Sequence, residues 1–169
     1  MDFLWSPWRF RYVSSAEEQK ACVFCEAPRL NDEQALILYR GRENFIILNL
    51  YPYTTGHLMI APYAHLASFA EAPKSITDEM TDLAKYCCRV LMEVYRPHGL
   101  NLGMNLGRAA GAGIADHFHL HVLPRWFGDT NFTTVIAETR VLPEDLGTTY
   151  RKLRRHFCLL YTSPSPRDR

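Results

Sequence analysis

The sequence has no long hydrophobic run. No apolar stretch approaches the ~20 residues that a helix needs to span a bilayer. Residues 1–11 mix Asp2, Arg9 and Arg11 with aromatic side chains, which is not the pattern of a secretory signal peptide. We therefore expect a cytoplasmic protein with no membrane partner.

An excess of either charge is also missing. Lys and Arg together number 19 and Asp and Glu 18, so no sequence-wide field favours a nucleic acid, and we expect none as a partner. The five cysteines are odd in number, and Cys87 and Cys88 are adjacent, which argues against a disulfide framework. With 169 residues, 47% of them hydrophobic, and no internal repeats, the chain fits one domain with its own core.

The hydrophobic pattern predicts an α+β domain with an antiparallel sheet. Apolar and β-branched runs predict strands at 36–39, 45–50, 57–61, 100–106 and 117–123. Apolar residues spaced 3.6 positions apart from Ser75 to Val94 predict a long amphipathic helix, with Ser75 as its N-cap and Pro97 and Gly99 as stop signals. Residues 143–157 predict a final helix, whose basic end suits the helix dipole.

The two ends of the chain differ from its middle in composition. Residues 1–34 are rich in charge and aromatics and predict an irregular arm with a knuckle at Cys22-x-x-Cys25. Residues 158–169 lose all periodicity and resemble a translated sequencing adapter or a disordered Ser/Pro segment, so we expect a non-native or disordered tail. The remaining 1–157 are expected to form a single domain.

Three histidines alternate with apolar residues at the predicted strand 117–123. Alternate residues of a strand face the same side, so His117, His119 and His121 share one face. A face that needs only hydration does not require histidine at all three positions, whereas imidazole is a neutral nucleophile near pH 7. We therefore predict covalent catalysis at phosphorus, with His119 as the nucleophile and its two neighbours orienting it and donating to phosphate.

A glycine-rich loop at 107–113 precedes the histidines. Gly107, Gly111 and Gly113 permit close approach of the backbone to a phosphate, and Arg108 offers a charge. A flexible turn has the same composition, so only the histidine run that follows favours a phosphate-binding interpretation.

The Cys22-x-x-Cys25 pair has the spacing of half a tetrahedral zinc site. A redox dithiol is the main alternative, although the surrounding sequence lacks the βαβ context of such motifs. His65 and His117 are candidates for the other two ligands. Spacing alone leaves both interpretations open.

The remaining histidines and the paired cysteines are interpreted as surface or packing residues: His57, His98, His156, Cys87 and Cys88.

The run His117-Phe118-His119-Leu120-His121-Val122-Leu123 resembles the signature of the histidine triad (HIT) family. Residues 49–65 are similar to the strand-loop-strand segment of that family. The opening 5–9, together with the cysteine pair, is similar to the bacterial branch of diadenosine tetraphosphate phosphorylases. The resemblance implies a five-stranded antiparallel sheet, a homodimer, and a cleft that holds a purine nucleotide over the histidines.

By that resemblance, His119 attacks the α-phosphate of a dinucleoside polyphosphate or a nucleotide conjugate and forms a nucleotidyl-histidine intermediate. The implied enzyme is a hydrolase, phosphorylase or transferase, with His117 and His121 completing the catalytic set. The implied nucleotide-binding residues are Asn49, at the ribose hydroxyls, and Asn105, Gly111, Gly113 and His121, at phosphate.

The resemblance also bears on the metal. The zinc-containing branch, which is similar to galactose-1-phosphate uridylyltransferase, uses the first triad histidine as a ligand. This implies a structural, four-coordinate zinc held by Cys22, Cys25, His65 and His117.

Ile114 departs from the family pattern, since many relatives have Ser or Thr at that position. Only backbone groups could therefore contact phosphate there. The alternatives are a nucleotide-binding HIT module with little catalysis and, with no feature in its favour, a zinc-stabilised structural domain.

Overall fold

The computed structural model describes residues 21–129 and 142–158; the sequence motif at 5–9 and the tail at 159–169 lie outside the described residues. The helices are α1 (Val23–Glu26), α2 (Asp32–Ala35), α3 (Lys74–Tyr95) and α4 (Leu146–Cys158), with 3-10 turns at Ala27–Arg29 and Arg108–Ala110. The strands are β1 (Ile37–Arg40), β2 (Asn44–Leu48), β3 (Leu58–Pro62), β4 (Gly99–Gly103) and β5 (Leu120–Arg125).

The five strands form one antiparallel sheet in the order β1-β2-β3-β5-β4. The α+β class and the five-stranded antiparallel sheet are confirmed. The central register, in which Met59 of β3 lies opposite His121 of β5, places that histidine on the same face as Met59.

Helix α3 packs across one face of the sheet, with α4 beside it. Its buried side chains follow the predicted helical period: Ile76, Met80, Leu83, Ala84, Cys87, Val90 and Leu91. The helix begins at Lys74 after Pro73, so the prediction that Ser75 is the N-cap is wrong; proline fixes the extended entry instead. Arg96, in the left-handed conformation with φ 45°, ends the helix just before Pro97.

The other face of the sheet is covered by the segment that contains the cysteines. Phe24 and Ala27 pack there on a cluster that includes Phe45, Ile47 and Met59. Every residue of β2 and β3 is buried as a result, which explains their continuous apolar runs. The described part of the predicted irregular arm is therefore helical, and that prediction is wrong there. Nothing in the sequence indicated this helix, because a helix of four residues is too short to show a periodic pattern of apolar residues.

Helix α4 begins at Leu146, three residues later than predicted, because Asp145 caps it. The Asp145 carboxylate accepts hydrogen bonds from the backbone N–H and the hydroxyl of Thr148. The helix ends at Cys158, one residue into the predicted tail. Within residues 21–129 and 142–158, no helix combines the length and apolar character needed to cross a bilayer.

Candidate active site and metal cluster

The three alternating histidines lie on the face of the sheet that α1 covers, and all three are buried. Strand β5 begins only at Leu120, so the prediction that His117 and His119 lie within it is wrong. The chain diverges from β3 here because the Phe118 N–H donates to the Leu66 carbonyl, at 2.7 Å. The segment keeps the alternation of a strand, since Phe118 is buried in the opposite core.

The ring of His119 has a defined tautomer. Its Nδ1 lies 3.1 Å from the carbonyl oxygen of His117, and because a carbonyl only accepts, Nδ1 carries the proton. The Nε2 atom is left with its lone pair. Burial lowers the pKa of His119 below its usual 6.5, so the ring is neutral at pH 7. His119 therefore has the protonation state of a nucleophile.

The tautomer of His121 is fixed through His57. The Tyr53 backbone N–H donates to Nδ1 of His57, at 3.1 Å, so the proton of a neutral His57 is on Nε2. The His57 Nε2 atom lies 2.9 Å from Nδ1 of His121, and its N–H donates a hydrogen bond to that nitrogen. His121 is therefore left with its proton on Nε2. Burial lowers the pKa of His121 to about 4, and the repulsion that a protonated His119 would exert is the smaller cause.

His57 is thus a functional candidate that the sequence analysis missed. It was interpreted as a surface or packing residue, yet it is buried and hydrogen-bonded to His121. Met59 lies opposite His121, so His57, two residues before Met59, is its diagonal neighbour on the same face. Only the pairing of β3 with β5 reveals this. His98 and His156 do lie near the surface, as predicted.

A cavity of about 330 Å³ opens beside these histidines. The predicted catalytic and nucleotide-binding residues that line it are Asn49, Asn105, Gly111, Gly113, His119 and His121. Apolar walls come from Phe24, Ile47 and Ile114 among others. Neither His117 nor Arg108 is among the lining residues. The cavity therefore combines apolar walls with a few polar groups, as small-molecule sites do.

The Asn49 side chain is engaged at both ends. Its Nδ2 lies 3.3 Å from Nδ1 of His57, and its Oδ1 accepts from the Tyr51 N–H, at 2.9 Å. These contacts hold the loop after β2 against the histidine pair. Asn49 thus faces the cavity in a fixed orientation.

The four residues predicted to bind zinc lie together. One ligand atom from each of Cys22, Cys25, His65 and His117 falls within 4.8 Å of all the others. The Sγ to Nδ1 distances are 3.4 Å for Cys22 to His117, 3.3 Å for Cys25 to His65 and 3.7 Å for Cys25 to His117. Tetrahedral zinc with its usual bond lengths separates sulfur from nitrogen by about 3.5 Å. The spacing and donor chemistry fit zinc.

His117 belongs to this cluster rather than to the cavity. Its Nε2–H donates to the carbonyl oxygen of Pro62, at 2.9 Å, so Nδ1, which faces the cysteines, carries a lone pair. Burial lowers the pKa of His117 to about 4, which keeps the ring neutral. The His117 backbone carbonyl also accepts from His119, so one residue contacts both the cluster and the nucleophile candidate.

Buried neutral histidines beside a cavity with mostly apolar walls, on a five-stranded antiparallel sheet, are the arrangement expected of a protein that binds a small molecule. Residues 31–128 match the HIT domain, and the chain belongs to the HIT domain family. The resemblance recognised from the histidine run is confirmed.

The chain is 40% identical over 158 residues to the AP-4-A phosphorylase of Mycobacterium tuberculosis, covering 89% of this chain and 81% of that protein. It is 29% identical over 150 residues to adenylylsulfatase HINT3 of Arabidopsis thaliana, covering 88% and 75%. A zinc-bound histidine triad family protein of Mycobacterium smegmatis has a similar structure, with a TM-score of 0.66, 26% identity and coverage of 85% and 98%.

Proposed function

We propose that this protein is a nucleotidyl hydrolase, phosphorylase or transferase that acts at the α-phosphate of a dinucleoside polyphosphate or nucleotide conjugate. The observation that carries the proposal is the neutral His119, whose Nδ1–H is tied to a backbone carbonyl while the ring lines the cavity. Family membership and the name of the mycobacterial relative support it.

In the proposed reaction, Nε2 of His119 attacks the α-phosphorus. An N–P bond forms while the P–O bond to the rest of the polyphosphate breaks, and the leaving group keeps that oxygen. Phosphate or water then attacks the same phosphorus, the N–P bond breaks and His119 is regenerated. With diadenosine tetraphosphate the first step releases ATP, and the second gives ADP from phosphate or AMP from water.

The remaining cavity residues bind and orient the substrate in this proposal. The Nε2–H of His121 donates to a phosphate oxygen, because its Nδ1 is occupied by His57. Asn49 meets the ribose hydroxyls, and Asn105 and the backbone of Gly111 and Gly113 meet phosphate, as all four line the cavity.

Cys22, Cys25, His65 and His117 hold a structural zinc ion in this proposal. The ion supplies a closed four-coordinate cross-link rather than an activated water, since four protein ligands fill a tetrahedral site. The zinc-bound structural neighbour supports this assignment. The first test is elemental analysis of the purified protein, in which less than about 0.2 zinc per chain after growth with zinc would refute the four-ligand site.

The catalytic test uses diadenosine tetraphosphate with and without inorganic phosphate. ADP and ATP formed only with phosphate identify a phosphorylase, which the mycobacterial relative favours, whereas AMP and ATP without phosphate identify a hydrolase. His119→Ala is expected to lower turnover at least about a thousandfold and retain nucleotide binding. His98→Ala is the matched control, because His98 is exposed and stacks on Phe127. Unchanged turnover in His119→Ala would refute the nucleophile.

We also propose a cytoplasmic homodimer. All five cysteines are free, which suits a reducing compartment. Among the described residues β4 has no second strand partner, and the nearby Leu102 and Leu106 are exposed. A second copy could cover this edge. Sedimentation equilibrium tests the assembly, and a mass equal to one chain across micromolar concentrations would refute it.

A further inference from the structure

Phe24, between the two cysteines of the knuckle, packs directly on the nucleophile candidate. Its ring centroid lies 4.6 Å from that of His119, with the planes 40° apart, and 5.3 Å from that of His117. The side chain is only 2% exposed and forms part of the cavity wall. One residue thus contacts the metal cluster, the nucleophile and the substrate cavity.

The His119 ring depends on packing for its orientation. The hydrogen bond from its Nδ1 to the His117 carbonyl fixes one edge of the ring but leaves the ring free to tilt about that edge. The ring of His121 packs edge-on against that of His119, with the ring centroids 4.7 Å apart and the planes at 72°. Phe24 contacts the same ring at 4.6 Å. Together they restrict that tilt.

We propose that Phe24 is a positioning residue that holds His119 in its attacking orientation, and that the cysteine knuckle exists to place Phe24. The inference deepens the proposed function and rests on it for its kinetic consequence. An error of about 1 Å in the placement of a reacting group can cost about a hundredfold in rate, so a ring that restricts the nucleophile acts on kcat.

The anchoring of α1 explains why the knuckle is needed. A helix of four residues has no stability of its own, because isolated helices shorter than ~12 residues are marginal. The residues on either side of the Val23-Phe24 pair are Cys22 and Cys25, and both thiols belong to the cluster with His117. With zinc bound, these thiols would be fixed relative to the segment that carries His119. Phe24 is therefore held from both sides against its target.

The test compares Phe24→Leu with Phe45→Leu. Phe45 belongs to the same buried cluster, and its replacement by Leu removes the same side-chain volume. Its ring packs on Tyr63 rather than on a triad histidine. We expect Phe24→Leu to lower kcat roughly ten- to a hundredfold with KM within about twofold of the parent, and Phe45→Leu to leave kcat within about threefold. A raised KM with unchanged kcat would overturn the inference, since Phe24 would then only contact substrate. Equal losses in both variants would also overturn it.

A readout that needs no turnover separates this inference from the proposed function. Nitrogen NMR of ¹⁵N-histidine protein at fixed pH should show His119 as a single Nδ1–H tautomer with sharp resonances, and Phe24→Leu should broaden the His119 resonances, because the ring can then tilt about its hydrogen-bonded edge, while zinc per chain stays the same. If the parent protein turns over no nucleotide, the proposed function fails but this measurement still tests the positioning role. An unchanged His119 spectrum would refute it. If Phe24→Leu loses zinc, Phe24→Met replaces it, because the unbranched and flexible Met side chain adapts better to the space that the ring leaves.

Discussion

At the scale of single residues, backbone groups decide which nitrogen of each triad histidine carries a proton. The carbonyl oxygens of Pro62 and His117 accept from His117 and His119, respectively. The Tyr53 N–H acts on His121 through His57. Because backbone groups cannot change between donor and acceptor, these tautomers are fixed before a substrate arrives. One ring then points its Nδ1 lone pair toward the cysteines, one keeps its lone pair on Nε2, and one carries its proton on Nε2.

The His57 to His121 hydrogen bond leads to a prediction about rate. His57→Leu should lower kcat/KM about ten- to a hundredfold, because His121 loses the donor that fixes its tautomer and donates to phosphate in only part of the molecules. His57→Gln is the matched control, since its amide N–H can still donate to Nδ1 of His121 and should recover most of the activity. Steady-state kinetics on both variants decides this. Wild-type kinetics in His57→Leu would show that the bond has no catalytic role.

His121 also predicts how stability depends on pH. Its folded pKa of about 4 is below the usual 6.5, so between those values the unfolded chain binds the extra proton. Its contribution is complete above about pH 6.5 and is lost as pH falls toward 4. Between pH 6.5 and 5 the loss should reach up to about 2 kcal/mol. Urea unfolding with saturating zinc measures it, and His121→Asn should make the pH dependence shallower, leaving the part due to His119, whose pKa burial also lowers. An equally steep dependence in that variant would assign the proton to another group.

At the scale of elements, local pattern and long-range pairing were predictable to different degrees. The face of α3 and the shared face of His117, His119 and His121 follow from periodicity, which is local. The contact of His57 with His121, which the sequence analysis missed, depends on the register of β3 with β5, and a single sequence does not specify that register. The knuckle at Cys22-x-x-Cys25 was predicted, but its helical form and the position of Phe24 were not, because they come from tertiary contacts on the sheet rather than from helix propensity.

The knuckle itself leads to a prediction about the metal. Cys25→Ser should lower bound zinc from about one per chain to a small fraction and lower kcat, because α1 loses the cross-link that holds it beside His119. Cys88→Ser in α3 is the matched control, since that thiol is far from the cluster in sequence and packs on the opposite core. Elemental analysis and thermal unfolding of both variants test this. Full zinc occupancy in Cys25→Ser would contradict the four-ligand assignment.

At the scale of the whole molecule, the sheet separates two hydrophobic cores, of which one holds the helices and the other lies beside the cavity. Helices α3 and α4 fill one face, while the knuckle, the histidines and the cavity occupy the other. Asp32 of α2 connects the two sides: its carboxylate accepts from Arg40 of β1, at 2.7 Å, and from Arg154 of α4, at 2.9 Å. The C-terminal helix α4 is thus linked through one carboxylate to α2, which follows the cysteine segment in the chain.

This connection predicts a stability change that a surface ion pair would not give. Asp32→Asn should lower the free energy of unfolding by about 1–2 kcal/mol, because it removes the charge shared by two arginines in a site where each side chain is at most 30% exposed. Asp78→Asn is the matched control: its partner Lys74 is 84% exposed, so we expect a change below about 0.5 kcal/mol. Urea unfolding of both variants in low and high salt measures the difference. Equal small effects would mean that the two arginines hold α4 through their backbone contacts, with Pro28, Leu30 and Leu38, rather than through the charge of Asp32.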